Sequence, residues 1–182
     1  MRIYRAVAVM SLLFAVNWIQ DFAQDNSWLQ FEGRSFNFQY PPTWQLHRLT
    51  DRDAVVADTA NPVSVEFAVS DGTAVGKDQL AVGAQNHVDQ FAQSNGMIAK
   101  YDGWTEISDG VIRVISHVCA DKGWSDMRHC PPTDQKAIDV SSVIYAIGGR
   151  IVLIEMMHKP GMSEARLDTG RKIVLTFKLL KN

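Results

Sequence analysis

The chain has 182 residues, of which 46% are hydrophobic and 21% charged, a profile that fits one ordinary globular domain and excludes a disordered or fibrous protein. Its formal charge of −2 becomes −3 once Arg2, Arg5 and Asp21 are set aside with the N-terminal segment. The basic residues are scattered, apart from Arg166, Arg171 and Lys172 at the spacing of a solvated helix face, so nothing points to a nucleic-acid or anionic-membrane partner.

Arg2 and Arg5 precede a stretch, residues 6–19, that is apolar apart from Ser11 and Asn17. A short basic segment followed by an apolar run of this length reads as a signal peptide, and the run is shorter than a membrane span requires. We expect residues 1–23 to be that signal peptide, cleaved near Ala23 and before Gln24. An uncleaved N-terminal anchor stays open as the alternative, because Asp21 stands where a small residue belongs. A lipoprotein is not expected, since no cysteine follows the apolar run. Residues 24–182 then form a single globular domain, periplasmic or secreted, with no stable membrane insertion once the leader is gone.

Along the mature chain, Phe36, Phe38 and Tyr40 alternate with polar residues and predict a strand over 35–40 that Pro41 and Pro42 end, with Trp44 as an apolar anchor just beyond. Strands follow at 54–57 and at 63–69, the second with Val63, Val65, Phe67 and Val69 on one side. From residue 78 to 94 the period becomes helical, with Leu80, Ala84, Val88 and Phe91 or Ala92 on one stripe and Asn95-Gly96 as terminator. Asp109-Gly110 and Gly148-Gly149 each predict a two-residue hairpin turn with positive φ at both positions, joining strands 104–107 to 111–118 and 140–147 to 150–157. Ser163 is placed to cap a last helix reaching about Leu175, with Leu167, Ile173 and Val174 toward the sheet and Gly170 at a close approach. Residues 176–180 fit either a last strand or a continuation of that helix. Runs of strands separated by single helices indicate an α+β layered domain, an antiparallel sheet flanked by helices, and argue against a doubly wound nucleotide-binding sheet.

The opening Phe36-Asn37-Phe38-Gln39-Tyr40-Pro41-Pro42-Thr43-Trp44, the central helix, the paired hairpins and the closing helix before Phe177-Lys178-Leu179-Leu180 resemble the PsbP/Mog-like α/β/α sandwich family over residues 35–180. The resemblance implies a three-layer fold and, for most members, an accessory or adaptor role without enzymatic activity. The shared residues are structural, and no functional residue carries over.

Cys119 and Cys130 are the two cysteines, and an even count in an exported chain favours a disulfide between them. The competing reading gathers His117, Cys119, His129 and Cys130 as four soft ligands for zinc or copper, although adjacent His129 and Cys130 fit a tetrahedral site poorly. No catalytic constellation stands out. The five histidines, His47, His87, His117, His129 and His158, lie outside any nucleophile motif; Ser70 and Ser116 have ordinary neighbours; and Asp51, Asp53, Glu164 and Asp168 are turn or helix-face acids. Gly72, Gly76, Gly83, Gly103 and Gly110 form no phosphate-cradling loop, and no cofactor is expected. The connector over 120–136 is long and carries Trp124, Met127 and Arg128, residue types that dominate interface energetics.

These observations predict an exported, non-enzymatic protein-binding or accessory module, of immunity or secretion-accessory type, whose partner is another exported or envelope protein met through Trp124, Met127 and Arg128. Two alternatives stand beside it: a small-molecule or lipid carrier with a cavity between sheet and helix, and a metalloprotein built on the cysteine and histidine cluster.

Overall fold

A computed structural model describes residues 27–72, 76–120, 130–131 and 134–180; the expected signal peptide, residues 1–23, lies outside them. Among the described residues the order is β1 (Leu29–Glu32), β2 (Phe36–Tyr40), β3 (Trp44–Arg48), β4 (Asp53–Asp58), β5 (Val63–Asp71), α1 (Lys77–Ser94), β6 (Met97–Ser108), β7 (Val111–Ala120), β8 (Ile138–Ile147), β9 (Arg150–His158), α2 (Glu164–Leu175) and β10 (Lys178–Leu179). Seven strands make an antiparallel sheet in the order β3-β4-β5-β9-β8-β7-β6, and a second sheet has the order β1-β2-β10.

Period-two alternation along the central strands sorts side chains between two layers. On β5, Val63, Val65, Phe67 and Val69 face α2 and the small sheet, joined there by Val152 and Ile154 of β9. Phe67 stacks on Phe38 at 4.3 Å and lies 5.4 Å from Phe177, so rings from β2, β5 and the C-terminal segment fill that core. Each such side chain, taken from water, stabilises the fold by about 1.5–3 kcal/mol. The opposite face meets α1, whose stripe of Leu80, Ala81, Ala84, Val88 and Ala92 is buried. The result is the expected α/β/α sandwich, with α1 on one face and α2 on the other, where the small sheet adds to the layer.

Glycine decides one hairpin alone and the other with help. Gly148 and Gly149 both have positive φ, 58° and 76°, as expected. At Asp109-Gly110 the expectation fails for Asp109: among the described residues no non-glycine has positive φ, and Gly110 alone, at 70°, turns the chain. A register shift between Glu106 and Ser108 supplies the difference, because a bulge adds the twist that a second left-handed residue gives in a two-residue turn.

Ser163 does precede α2, but its side chain makes no capping bond; its carbonyl accepts from the Arg166 and Leu167 amides, and the first turn is exposed. Gly170 sits at the expected close approach, where a Cβ would stand 3.0 Å from Sδ of Met156. The tail is a strand. Thr176 Oγ1 accepts from the Gln39 amide at 2.8 Å, and β10 then pairs with β2. Strands β1 and β3 were not foreseen; β1 buries only Phe31, too little for a periodic signal, whereas Trp44 and Leu46 of β3 carry an alternation that the preceding prolines hide.

Candidate functional site

The end of β7 gathers the cysteines, one histidine and three acids. Cys119, fully buried, is bonded to Cys130, so the 120–129 segment is closed covalently. Beside the disulfide, Asp134 accepts from the backbone amides of Ala120 at 2.7 Å and Lys136 at 2.9 Å, a second tie between the two ends of the connector. Trp124, Met127, Arg128 and His129 lie outside the described residues.

Two residues before Cys119, and on the same face, His117 Nδ1 meets Asp139 at 2.7 Å and Nε2 meets Asp102 at 3.0 Å. Asp102 is the extra residue in a register shift between Tyr101 and Gly103, the kind of local kink that re-aims a side chain. Partial burial opposes a charge on His117, but the hydrogen bonds to Asp102 and Asp139 outweigh it and hold the imidazole above its ordinary pKa. The metal reading therefore finds its described members engaged elsewhere. The sulfurs are bonded to each other rather than present as thiolates, and both ring nitrogens of His117 face carboxylates.

A hollow of about 250 Å³ lies against this root, lined by Cys130, Asp134, Gln135, Lys159 and Pro160 among others. Another, of about 210 Å³, opens between Asp89 and Gln93 of α1 and the start of β6. Both are smaller than the roughly 300–1,000 Å³ usual for a small-molecule site.

The opposite face of the sheet holds a feature that sequence reading missed. Beneath α1, five strands each give one polar side chain: Tyr101 and Ser116 are partners across β6 and β7, Ser142, Glu155 and Glu66 are partners across β8, β9 and β5, and the two groups are offset by two residues between β7 and β8. They separate two apolar clusters, one around Leu80, Ala84, Ile112 and Leu153, the other around Val88, Ala92, Val118 and Met157. Glu155 is wholly buried; it accepts from Ser142 Oγ at 2.7 Å and meets His87 Nδ1 at 2.9 Å. His87 Nε2 faces Glu66 Oε1 at 3.7 Å. Burial raises the Glu66 pKa, against the pull of His87, while the bond to Glu155 holds His87 above its ordinary value despite desolvation. Burial, aided by Asp89, likewise raises Tyr101, whose hydroxyl donates to the Gln85 carbonyl at 2.9 Å. The sequence signal was Glu155 itself, one acid inside the otherwise apolar run 151–157.

No family model matches the chain, and no curated protein matches it in sequence. Solved structures do. The Ran-binding protein Mog1p of Saccharomyces cerevisiae superposes with a TM-score of 0.55 at 12% identity, over 84% of this chain and 95% of its own. The cyanobacterial PsbP (CyanoP) of Synechocystis gives 0.52 at 12% identity, over 87% and 96%. The fold is PsbP/Mog-like. At this identity the likeness is one of backbone, and it covers the PsbP/Mog-like scaffold nearly end to end.

Among the described residues of this PsbP/Mog-like domain, no serine or thiol is held by a histidine in the manner of an activated nucleophile. Ser116 Oγ is buried without a hydrogen-bond partner, and the two sulfurs are oxidised. His87 and His117 each lie between two carboxylates instead.

Proposed function

We propose that this chain is an exported, non-enzymatic binding module that engages another exported or envelope protein through the connector between β7 and β8. The observation that carries the reading is the double tie at the connector's root, the Cys119–Cys130 bond and the Asp134 carboxylate on the Ala120 amide. A loop whose ends are pinned costs less to order on binding, and Trp124, Met127 and Arg128 lie within the closed segment. Trp and Arg are the side chains that most often dominate an interface. A Ran-binding protein with the same scaffold supports a binding role by analogy. The basic and apolar N-terminal stretch supports export, and an oxidising compartment suits the disulfide. Carriage of a small molecule or lipid has less behind it, because the two described hollows are small and shallow.

The test is affinity capture with the full chain in its native envelope fraction, followed by binding measurements on the captured protein. Replacing Trp124 and Arg128 together by alanine is expected to weaken that binding at least about tenfold, the effect of losing hot-spot contacts. An affinity unchanged by the double substitution, in a chain whose disulfide is intact, overturns the reading.

A further inference from the structure

The polar set under α1 is costly as plain architecture. Replacing a buried ion pair with apolar side chains of similar volume is often neutral or stabilising, so the charges are not what makes this layer pack. The flanking clusters already supply apolar contact at both ends of the helix. The charges sit at the helix midpoint, and one imidazole answers two carboxylates there, Glu155 at 2.9 Å on Nδ1 and Glu66 at 3.7 Å from Nε2.

We propose that His87, Glu155 and Glu66 form a proton-operated latch that fastens the middle of α1 to β5 and β9, closed when both ring nitrogens of His87 carry protons. In that state each nitrogen presents an N–H to its own carboxylate. Loss of one proton leaves a single N–H for two acids. The groups facing His87 are Glu155 from β9, Glu66 from β5 and Asp53 from β4, all acids, with the Ser142 hydroxyl of β8 bound to Glu155 and the Tyr101–Asp89 pair farther along the helix. The charged groups that act on His87 are thus all acidic, and a neutral ring leaves them uncompensated in a poorly solvated layer.

The sign follows from linkage. His87 is held above its ordinary value in the folded chain, so its contribution is fully present below that ordinary value and is lost as pH rises through the folded one. Burial raises Glu66 as well, so its ionisation carries a cost that His87 offsets while the ring is protonated. His87 therefore tightens α1 in mild acid and loosens it toward alkali.

Hydrogen–deuterium exchange of the full chain, read on peptides from α1 and α2 and corrected for intrinsic exchange, tests this between about pH 6 and about pH 9. Protection of α1 is expected to fall by roughly tenfold relative to α2 for each pH unit that His87 is raised. His87→Gln should bring α1 at the acid end down to the wild-type alkaline level and flatten the profile. Glu66→Gln, which keeps the Glu155 bond, should move the transition to lower pH. Parallel loss of protection in α1 and α2, or an unchanged profile in His87→Gln, overturns the latch. Should that variant fail to fold, the wild-type His87 ring resonance decides: titration above the ordinary imidazole value upholds the proposal, and titration at or below it overturns it.

Discussion

Single residues set the strictest tests. Phe67 is fully buried and stacks on both Phe38 and Phe177, so Phe67→Ala removes the ring that joins three elements. The expected loss is about 3–5 kcal/mol, measured by denaturant unfolding. Glu155→Ala should cost a similar amount, about 3–5 kcal/mol, because it strands His87 and Ser142 beneath the helix. The combined Glu155→Met and His87→Leu change should recover most of that, which a double-mutant cycle would read. The glycines differ between the hairpins. Gly149→Ala forces a side chain into positive φ and should cost about 1–2 kcal/mol, whereas Asp109→Ala should stay within about 0.5 kcal/mol. Gly149 was legible from its dipeptide; Asp109 was not, because a bulge two residues upstream relieved it of the strain.

At the scale of elements, legibility followed the strength of the period. Strand β5 and helix α1 repeat their apolar positions over several turns of the pattern, and the structure places those positions in the core. Strands β1, β3 and β10 are short and lie at sheet edges; β1 and β10 bury at most one side chain and leave no period to read, and the two-position alternation of β3 directly follows a proline pair that masks it. The lone acid of β9 was readable as an anomaly, but its partner on α1 was not, since a contact between positions 87 and 155 depends on how the helix crosses the sheet. The cysteine pairing was readable from their number. Replacing both cysteines by alanine should lower stability by about 3 kcal/mol in the chain-entropy account, checked by unfolding with and without reductant.

For the whole molecule, the layer order was predictable because strand runs and helices alternate in the way an α/β/α sandwich demands. The identity of a partner is not written in those periods, which record only what each face buries. Both bracketed histidines are held above their ordinary value, and each adds stability that is present in mild acid and lost as pH rises through its folded value. The thermal midpoint of the intact chain is therefore expected to fall between about pH 6 and about pH 9, a trend that scanning calorimetry would register. The opposite trend would mean that other groups dominate the global balance. Glu106 and Glu164, held low by Lys77 and Arg171, act in the acid range and at the surface, where solvent screens them.

The small sheet has a further consequence in time. Its middle strand, β2, is flanked by β1 from the start of the described chain and by β10 from its end. The Gln39 amide waits for Thr176, and Phe36 for the ring of Phe177. A chain emerging N-terminus first, from a ribosome or through a translocation pore, must leave that edge and those rings open until residues 176–179 arrive. Closure of the ribbon therefore waits on the segment after α2, and a product truncated before that segment would carry an unfilled strand edge beside exposed aromatic surface, an aggregation-prone combination.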